Sequence, residues 1–431
     1  MRTSFARRSF LLICSWVGIF RSNRSTQEEN MKKVIAILLV LALVLGMTGC
    51  SGSATGDKIG IILIGDENEG YSQAHIDGIK KAAKELNVED NLVWFYNVPQ
   101  EEECYDKCIS CIEQGCKLVI TNSYGHQYYA EQAAKEHPEI KFVCMTGDTA
   151  KSSGLSNLSN AFNQTYQSRY VSGVVAGMKI KELVENGKLS ANNFNADGKV
   201  KTGYVGAFPF AEVVSGYTAF FLGMQSIYPD VVMDVSFTNS WSDLVAEKTT
   251  AEMLIADGAV IIGQHADTTG APQACEAANV AGNPVYSIGY NIDMLKSAPH
   301  AALTSATNDW SVYYTHCFDQ FIKGERIDVD WSEGYETGAV CITELGPECA
   351  AGTKEEVDKA EKAIKDGTLH VFDTNKFTVN GEKITELFRI DTDGDYVPDS
   401  VNGIVDGYFD ESKYISAPTF LCDIDGITKL N

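Results

Sequence analysis

Positive charge is scarce in this chain: 35 lysines and arginines stand against 58 aspartates and glutamates, a formal net charge of −23. Such a balance repels phosphate backbones and argues against a nucleic-acid partner. Histidine is scarce too, with seven in 431 residues. The signatures G-x-x-x-x-G-K-[ST], H-E-x-x-H and G-x-S-x-G are absent, so no phosphate loop, zincin helix or nucleophile elbow is written in the sequence. Long apolar runs are also missing. The longest, Val34 to Leu45, is about a dozen residues, too short for a comfortable membrane span. What is present is core material: 44% of residues are apolar, which excludes a disordered chain. The length suits two or three ordinary domains, or one two-lobed protein.

Twelve cysteines are spread along the chain, ten of them outside the leader if Cys14 and Cys50 belong to it. A small disulfide scaffold would crowd them into a short segment. Many occupy positions where an apolar residue would fit, as Cys144 does in VCM, so mostly reduced, buried thiols are expected.

Residues 31–50 read MKKVIAILLVLALVLGMTGC. Two lysines, an apolar core and small residues before Cys50 resemble the bacterial lipoprotein signal, in which that cysteine carries the lipid anchor. An ordinary secretory signal or a membrane anchor is the alternative. Residues 1–30 hold five arginines and a separate apolar LLICSWVGIF, and fit the pattern badly. Translation is therefore expected to start at Met31, with residues 1–50 a leader and 51–57 a linker.

After the linker, apolar runs alternate with amphipathic segments. KIGIILI (58–64), LVWFYNV (92–98), KLVITNS (117–123) and KFVCMTG (141–147) read as buried strands. Between the first two, residues 74–86 place Ile79, Ala82, Ala83 and Leu86 on one helical face. A second series follows: KTGYVGAFP (201–209), VVMDVSF (231–237), AVIIGQH (259–265) and PVYSIGY (284–290). Continuous apolar strands alternating with helices predict an α/β fold with parallel sheets covered on both faces. Two series predict two lobes, with the ligand in the cleft that the carboxyl ends of the strands face. We place the first lobe at 58–160 and 291–330, and the second at 161–290 and 331–431, the latter with a C-terminal extension. That extension includes a helical segment, Glu355 to Ile364.

The residues just past each strand are the ones to inspect. They include Asp66 to Tyr71, Asn122 to Gly125, Phe208 to Phe210, Asn239 to Trp241, Gln264 to Asp267, and Tyr290 with Asn291. Aromatic rings and neutral polar groups at strand ends suit a flat ligand; the alternative for any one ring is that it caps a core.

Here the chain resembles the basic membrane protein family, the purine-binding lipoproteins of ABC importers. The likeness lies in ITNSYGHQYYAEQAAKEHPEIKF, SRYVSGVVAGMKIK, TGYVGAFPFAEVVSGYTAFFLGMQSIYP, FTNSWSDLVAEKTTAEMLIADGAVIIGQHADTTGAPQAC and LTSATNDWSVYY, from about Lys58 to about Gly346. It is similar to the branch with an HTDS-like segment, matched by His265-Ala266-Asp267-Thr268. Trp241 after Asn-Ser, and Asn308-Asp309-Trp310 with Tyr313-Tyr314, match two further motifs of that branch. The resemblance implies a two-lobed type I periplasmic-binding-protein fold, no cofactor, no enzymatic activity, a purine ligand and an ABC permease as partner. The receptor is expected to be a monomer held on the extracytoplasmic face by its lipid.

The resemblance also implies roles. Trp241, Tyr124 and Phe208 would stack on the base; Asp267, His265, Asn291 and Asn308 would bond its edge; Tyr71 and Trp310 would close from the first lobe. Arg169 opens a helix at the lobe crossing, where a structural ion pair is the competing role. The nucleoside-binding branch holds ribose with an aspartate and a lysine, where this chain has Asn291 and Asn308. Its D-x-S-F-N loop is here Asn68-Glu69-Gly70-Tyr71-Ser72. Those departures leave the ribose grip open while the aromatic clamp remains. A bare base is adequate: about ten heavy atoms at roughly 1.5 kcal/mol each allow about 15 kcal/mol, and micromolar binding needs about 8.

Other signals compete. His265 and Asp267 alone would suit a catalytic or metal-binding pair, as in a nucleoside hydrolase, but no second histidine or carboxylate stands at ligand spacing. A chemosensory receptor on the same fold is a third reading. Cys104, Cys108, Cys111 and Cys116 have a spacing reminiscent of an iron–sulfur motif, yet the first three share one helical face and read as core. Asp391, Asp393, Asp395 and Asp399 fall at positions 1, 3, 5 and 9 of a calcium loop, with Tyr396 at the glycine position and Asn402 at the last.

Overall fold

The computed structural model describes residues 56–395 and 397–431. Met31, Cys50 and the leader lie outside the described residues. The first lobe is built on strands β1 (Lys58–Ile62), β2 (Leu92–Phe95), β3 (Cys116–Thr121), β4 (Lys141–Met145), β5 (Leu158–Ala161) and a late, two-residue β11 (Asp330–Trp331). They form one parallel sheet in the order β11-β5-β4-β3-β1-β2. Helices α1 (Gly70–Leu86), α2 (Glu102–Glu113) and α3 (Gln127–Glu136) connect the strands. Helix α1 starts a turn earlier than its apolar stripe predicts. The Glu69 carboxylate caps it by accepting from the Tyr71 and Ser72 amides, satisfying donors that a helix start leaves open.

The cysteines of α2 belong to this lobe's core. Cys104, Cys108 and Cys111 are buried against β1 and β3, and all ten described cysteines are free thiols. The approach is close: a Cβ at Gly60 would lie 2.4 Å from Cys111 Sγ, so glycine in the strand lets the helix settle.

The second lobe comprises α4 (Thr165–Glu185), β6 (Val200–Gly206), α5 (Ala211–Ile227), β7 (Val231–Phe237), α6 (Leu244–Ala256), β8 (Ile261–His265), α7 (Gly270–Val280), β9 (Tyr286–Tyr290) and β10 (Ala302–Asn308). Its sheet also takes in β12 (Val340–Ile342) and β15 (Ile427–Lys429), in the order β12-β10-β9-β8-β6-β7-β15. Only β12 runs antiparallel. Helices α4 and α5 cross backbone to backbone: a Cβ on Gly173 would lie 2.1 Å from the Phe220 carbonyl, and one on Gly223 would lie 2.1 Å from that of Tyr170.

One boundary differs from expectation. Residues 302–308, assigned above to the first lobe, pair in parallel with β9 in the second sheet. The chain crosses only afterwards, into α8 (Trp310–Ile322), which packs on α1. Three crossings link the lobes, and one asparagine ties them: Asn163 Nδ2 donates to Asn308 Oδ1 (3.2 Å) and to the Ala339 carbonyl (2.9 Å).

The C-terminal extension packs mainly on the second lobe. Helix α9 (Thr353–Lys365) lies on α4, strands β13 (Ile404–Val405) and β14 (Tyr408–Phe409) form an antiparallel pair of their own, and β15 pairs with β7. Phe420 is stacked on Phe372 (4.2 Å between centroids), with Phe377 and Phe409 edge-on. The extension also reaches the first lobe. The Ser416 amide donates to Asp330 Oδ2 (2.9 Å), the same carboxylate that pairs with Lys151 (2.8 Å), and Lys151 donates to the Tyr414 carbonyl.

Candidate functional site

The carboxyl ends of both sheets face one cleft, and a cavity of about 460 Å³ lies between them. The first lobe contributes Ile64, Tyr71, Gln100, Ser123, Tyr124 and Thr146; the second contributes Glu212, Trp241, Asp267 and Tyr290. Each of these ends or follows a strand or lies at a helix start, because that is where a parallel sheet opens its backbone to a ligand. Thr146, at the end of β4, is held at φ 59°, an uncommon backbone state for a β-branched residue and one that clusters at ligand sites. At one rim the lobes touch: a Cβ on Gly70 would lie 3.1 Å from the Asp267 carbonyl and 3.4 Å from Ile292.

Four expected residues therefore line the cavity: Tyr71, Tyr124, Trp241 and Asp267. Phe208 stands behind Trp241 (5.4 Å) and is stacked on Phe210 (5.1 Å), forming the aromatic wall's outer layer. The remaining five lie elsewhere. His265 is buried beneath the floor, its Nε2 3.2 Å from Glu212 Oε1. Arg169 is buried behind Tyr290, guanidinium 3.7 Å from the ring centroid, and donates to the Gln264 carbonyl (2.6 Å). Asn291 donates to Asp267 Oδ1 (2.8 Å), so it orients a lining group. Asn308 accepts from Asn163 and Thr165 at the lobe crossing. Trp310 sits in the first lobe's core, stacked on His75 at 4.3 Å. Asn291, Asn308 and Trp310 border a second, wider cavity of about 1280 Å³ beside the first. Glu212, Tyr290, Gln100, Ser123 and Thr146 are lining groups that had no assigned role. Tyr290 and Ser123 were legible as strand-end residues; Glu212, two residues past Phe210, would have been found by extending the same logic into the helix.

Among the described residues no lysine or arginine lines the cavity, yet it holds two carboxyl groups. Burial pushes Glu212 up to about 7, with Arg169 opposing. Burial also pushes Asp267 well above the usual carboxylate range, with Glu69, Glu247 and Glu212 adding to it. Burial, and then Arg169, hold His265 well below its usual range, so its imidazole is neutral. The neutral His265 is thus bonded to the Glu212 carboxyl group and positions it. Of the aspartates in the candidate calcium loop, Asp391, Asp393 and Asp395 converge, with ligand atoms within 4.8 Å of one another. Asp399 instead accepts from the Thr392 amide and hydroxyl.

These shifts set a pH dependence of stability. Glu212 and Glu247 are raised to about 7 and Glu411 to about 8, so each binds its proton more tightly folded than unfolded. Their contribution is complete below the unfolded value of about 4.3 and is lost as pH rises through 7 to 8. His75 and His126, depressed to about 3 and 4 by burial, act oppositely: their contribution is complete above about 6.5 and lost as pH falls. The melting temperature is expected to peak between about pH 5 and 6.5 and to fall toward pH 9. A flat profile from pH 6 to 9 would contradict the buried carboxyl groups.

Two lobes of parallel sheet around an aromatic-walled cleft define a solute receptor of the periplasmic binding class. A family profile described as "ABC transporter substrate-binding protein PnrA-like" matches residues 63–371, and the chain belongs to that family. The family is one of transport receptors and not of enzymes; its members bind small solutes outside the cytoplasm and pass them to a permease. Among similar proteins, a purine-binding protein of Brucella abortus is 28% identical over 337 residues, 78% of this chain and 89% of that one. A protein of Haloferax volcanii provisionally named glucose-binding is 29% identical over 273 residues, 63% of this chain and 62% of that one. An ABC transporter nucleoside-binding protein of Lactococcus lactis is 24% identical over 259 residues, 57% of this chain and 68% of that one. A solute-binding protein of Aeropyrum pernix shares the fold with a TM-score of 0.60 at 17% identity, covering 73% of this chain and 93% of that one. No described helix is long and apolar enough to cross a membrane.

Proposed function

We propose that this chain is the lipid-anchored receptor of an ABC importer and captures a purine nucleobase or nucleoside between its lobes. The observation that carries the reading is the cavity itself. Tyr71, Tyr124, Trp241 and Tyr290 bring four flat rings to its walls, and Glu212 and Asp267 bring hydrogen-bonding groups to its edge. Rings stack on a planar heterocycle, and carboxyl groups meet its N–H donors. The Brucella and Lactococcus relatives support this by their names. The lipoprotein-like signal ending in Cys50 supports the anchor.

Calorimetry of the mature protein with adenine, guanine, adenosine and glucose tests the reading. Micromolar or tighter binding of at least one purine compound is expected. Glucose binding without purine binding would favour the reading suggested by the name of the Haloferax relative, and release of free base from adenosine would make the chain an enzyme. Cys50→Ser is expected to move the protein from the membrane fraction to the soluble one.

A further inference from the structure

Solute capture leaves the C-terminal extension without a task. Its root is in the second lobe: β15 pairs with β7, and Phe372, Phe377, Phe409 and Phe420 pack together in that lobe's core. Between Phe409 and Phe420 the chain leaves this root and returns to it. The buried Glu411 carboxyl closes the base of the excursion by accepting from the Thr419 and Phe420 amides (3.2 and 3.1 Å). Within it the Ser412 hydroxyl donates to the Ser416 carbonyl (3.3 Å). Residues 412–418 therefore form a short finger with a fixed base.

The tip of the finger rests on the first lobe. The Ser416 amide donates to Asp330 Oδ2 (2.9 Å), and the Tyr414 carbonyl accepts from Lys151, which pairs with the same carboxylate (2.8 Å). Ser416 is 1% exposed and the Asp330 side chain 5%, so water does not compete for the amide–carboxylate bond. Lys151 is 44% exposed and adds less. The extension meets the same first-lobe loop again at Gly394, where a Cβ would lie 2.4 Å from Ser152 Oγ. Both anchor points bear on the cleft. Asp330 lies in β11, just before the chain crosses to the second lobe. The loop holding Lys151 and Ser152 begins at Thr146 on the cavity wall and includes Asp148, bonded to the Tyr124 hydroxyl (3.1 Å).

We propose that residues 412–418 are a fourth, non-covalent crossing that clips the lobes together with the cleft shut, whether it is filled or empty, and so sets how fast solute is exchanged. The lobes touch in this arrangement, Gly70 against the Asp267 carbonyl. Opening a two-lobed receptor is a rotation about its crossings. A covalent crossing can bend, but the finger, fixed at its base, has to release Asp330 before the lobes part. A tie made in both the filled and the empty closed states slows capture and release together and leaves affinity nearly unchanged.

The test compares wild type with Asp330→Ala and Asp330→Asn. Small-angle scattering follows lobe opening, and stopped-flow tryptophan fluorescence follows capture and release of adenine. Wild type is expected to scatter nearly alike with and without adenine, and ligand-free Asp330→Ala as a more extended particle. Both rates should rise roughly fivefold or more in Asp330→Ala, with affinity within about twofold of wild type. Asp330→Asn should fall between, because its amide oxygen still accepts from Ser416. Gly394→Ala, which wedges the extension off Ser152, should open the protein in the same way. Adding Ser152→Gly should reverse that, which relief of backbone strain at residue 394 would not do. This pair carries the test if Asp330→Ala folds poorly. A lower melting temperature with unchanged scattering and rates marks Asp330 as merely structural and overturns the proposal. Affinity that falls in step with faster release also overturns it, since the finger would then hold only the filled state. If adenine binds no form of the protein, the purine reading fails and the scattering comparison alone decides the proposal.

Discussion

Trp241→Ala is expected to weaken purine binding at least tenfold, about 1.4 kcal/mol or more, with little change in melting temperature. The separation of the two effects follows from where the residue sits. Trp241 lies in the loop after β7, half-buried, with one side on Phe208 and another toward His265 at 6.3 Å. Its backbone carbonyl holds the Asp267 amide, and alanine keeps that bond. What is removed is the ring that lines the cavity, so the loss falls on stacking and desolvation of the ligand. Trp241→Phe should recover part of the affinity. Calorimetry with the purine that binds the wild type provides the measurement, and an unchanged affinity would remove Trp241 from the site.

The largest loss of stability is expected from Phe420→Ala, about 3–5 kcal/mol. Phe420 is fully buried and packs against three other phenylalanines of the extension. The backbone around it is fixed by Glu411, whose buried carboxyl accepts from the Thr419 and Phe420 amides. Alanine leaves a cavity that such a rigid surround cannot close. The extension supplies β15 to the second sheet and bonds Asp330 in the first lobe, so its loosening should lower the melting temperature of the whole protein. Affinity for a purine should stay near wild type, because no described residue of the extension lines the cavity. Denaturant titration and calorimetry on the same preparation check both halves, and a two-step unfolding curve would show the extension melting separately. Most of this segment lies beyond the matched residues 63–371.

The positions where sequence reasoning and structure part company have a common physical cause. Asn308 and Trp310 stand at a strand end and a helix start, which made them plausible ligand contacts. The structure instead directs them to the lobe crossing and to the first lobe's core. A strand end identifies which residues leave the sheet, but the side on which each side chain emerges depends on register and on which lobe's sheet takes the strand. The misplacement of β10 shows the same thing: Ala302–Asn308 reads as a buried strand wherever it goes, and only its pairing with β9 assigns it to the second lobe. Glu212 was hidden for a related reason. One glutamate in the first turn of a helix is ordinary helix chemistry, and only packing brings it 3.2 Å from His265 and into the cavity.

By itself, the sequence determined the alternation of strand and helix, the two series of buried strands, the reduced cysteine core and the aromatic character of the strand ends. Those are properties of local period and composition, and they survive any arrangement of the lobes. The tertiary structure alone decided which residues meet. His265, read beside Asp267 as a possible reacting pair, is neutral beneath the floor, while Asp267 faces the cavity with Asn291 at its back. Residues two apart on a strand share a face, which is why the H-x-D spacing suggested a pair, but β8 ends at His265 and Asp267 has already left the strand; only the packing around each could decide which of them faces the ligand.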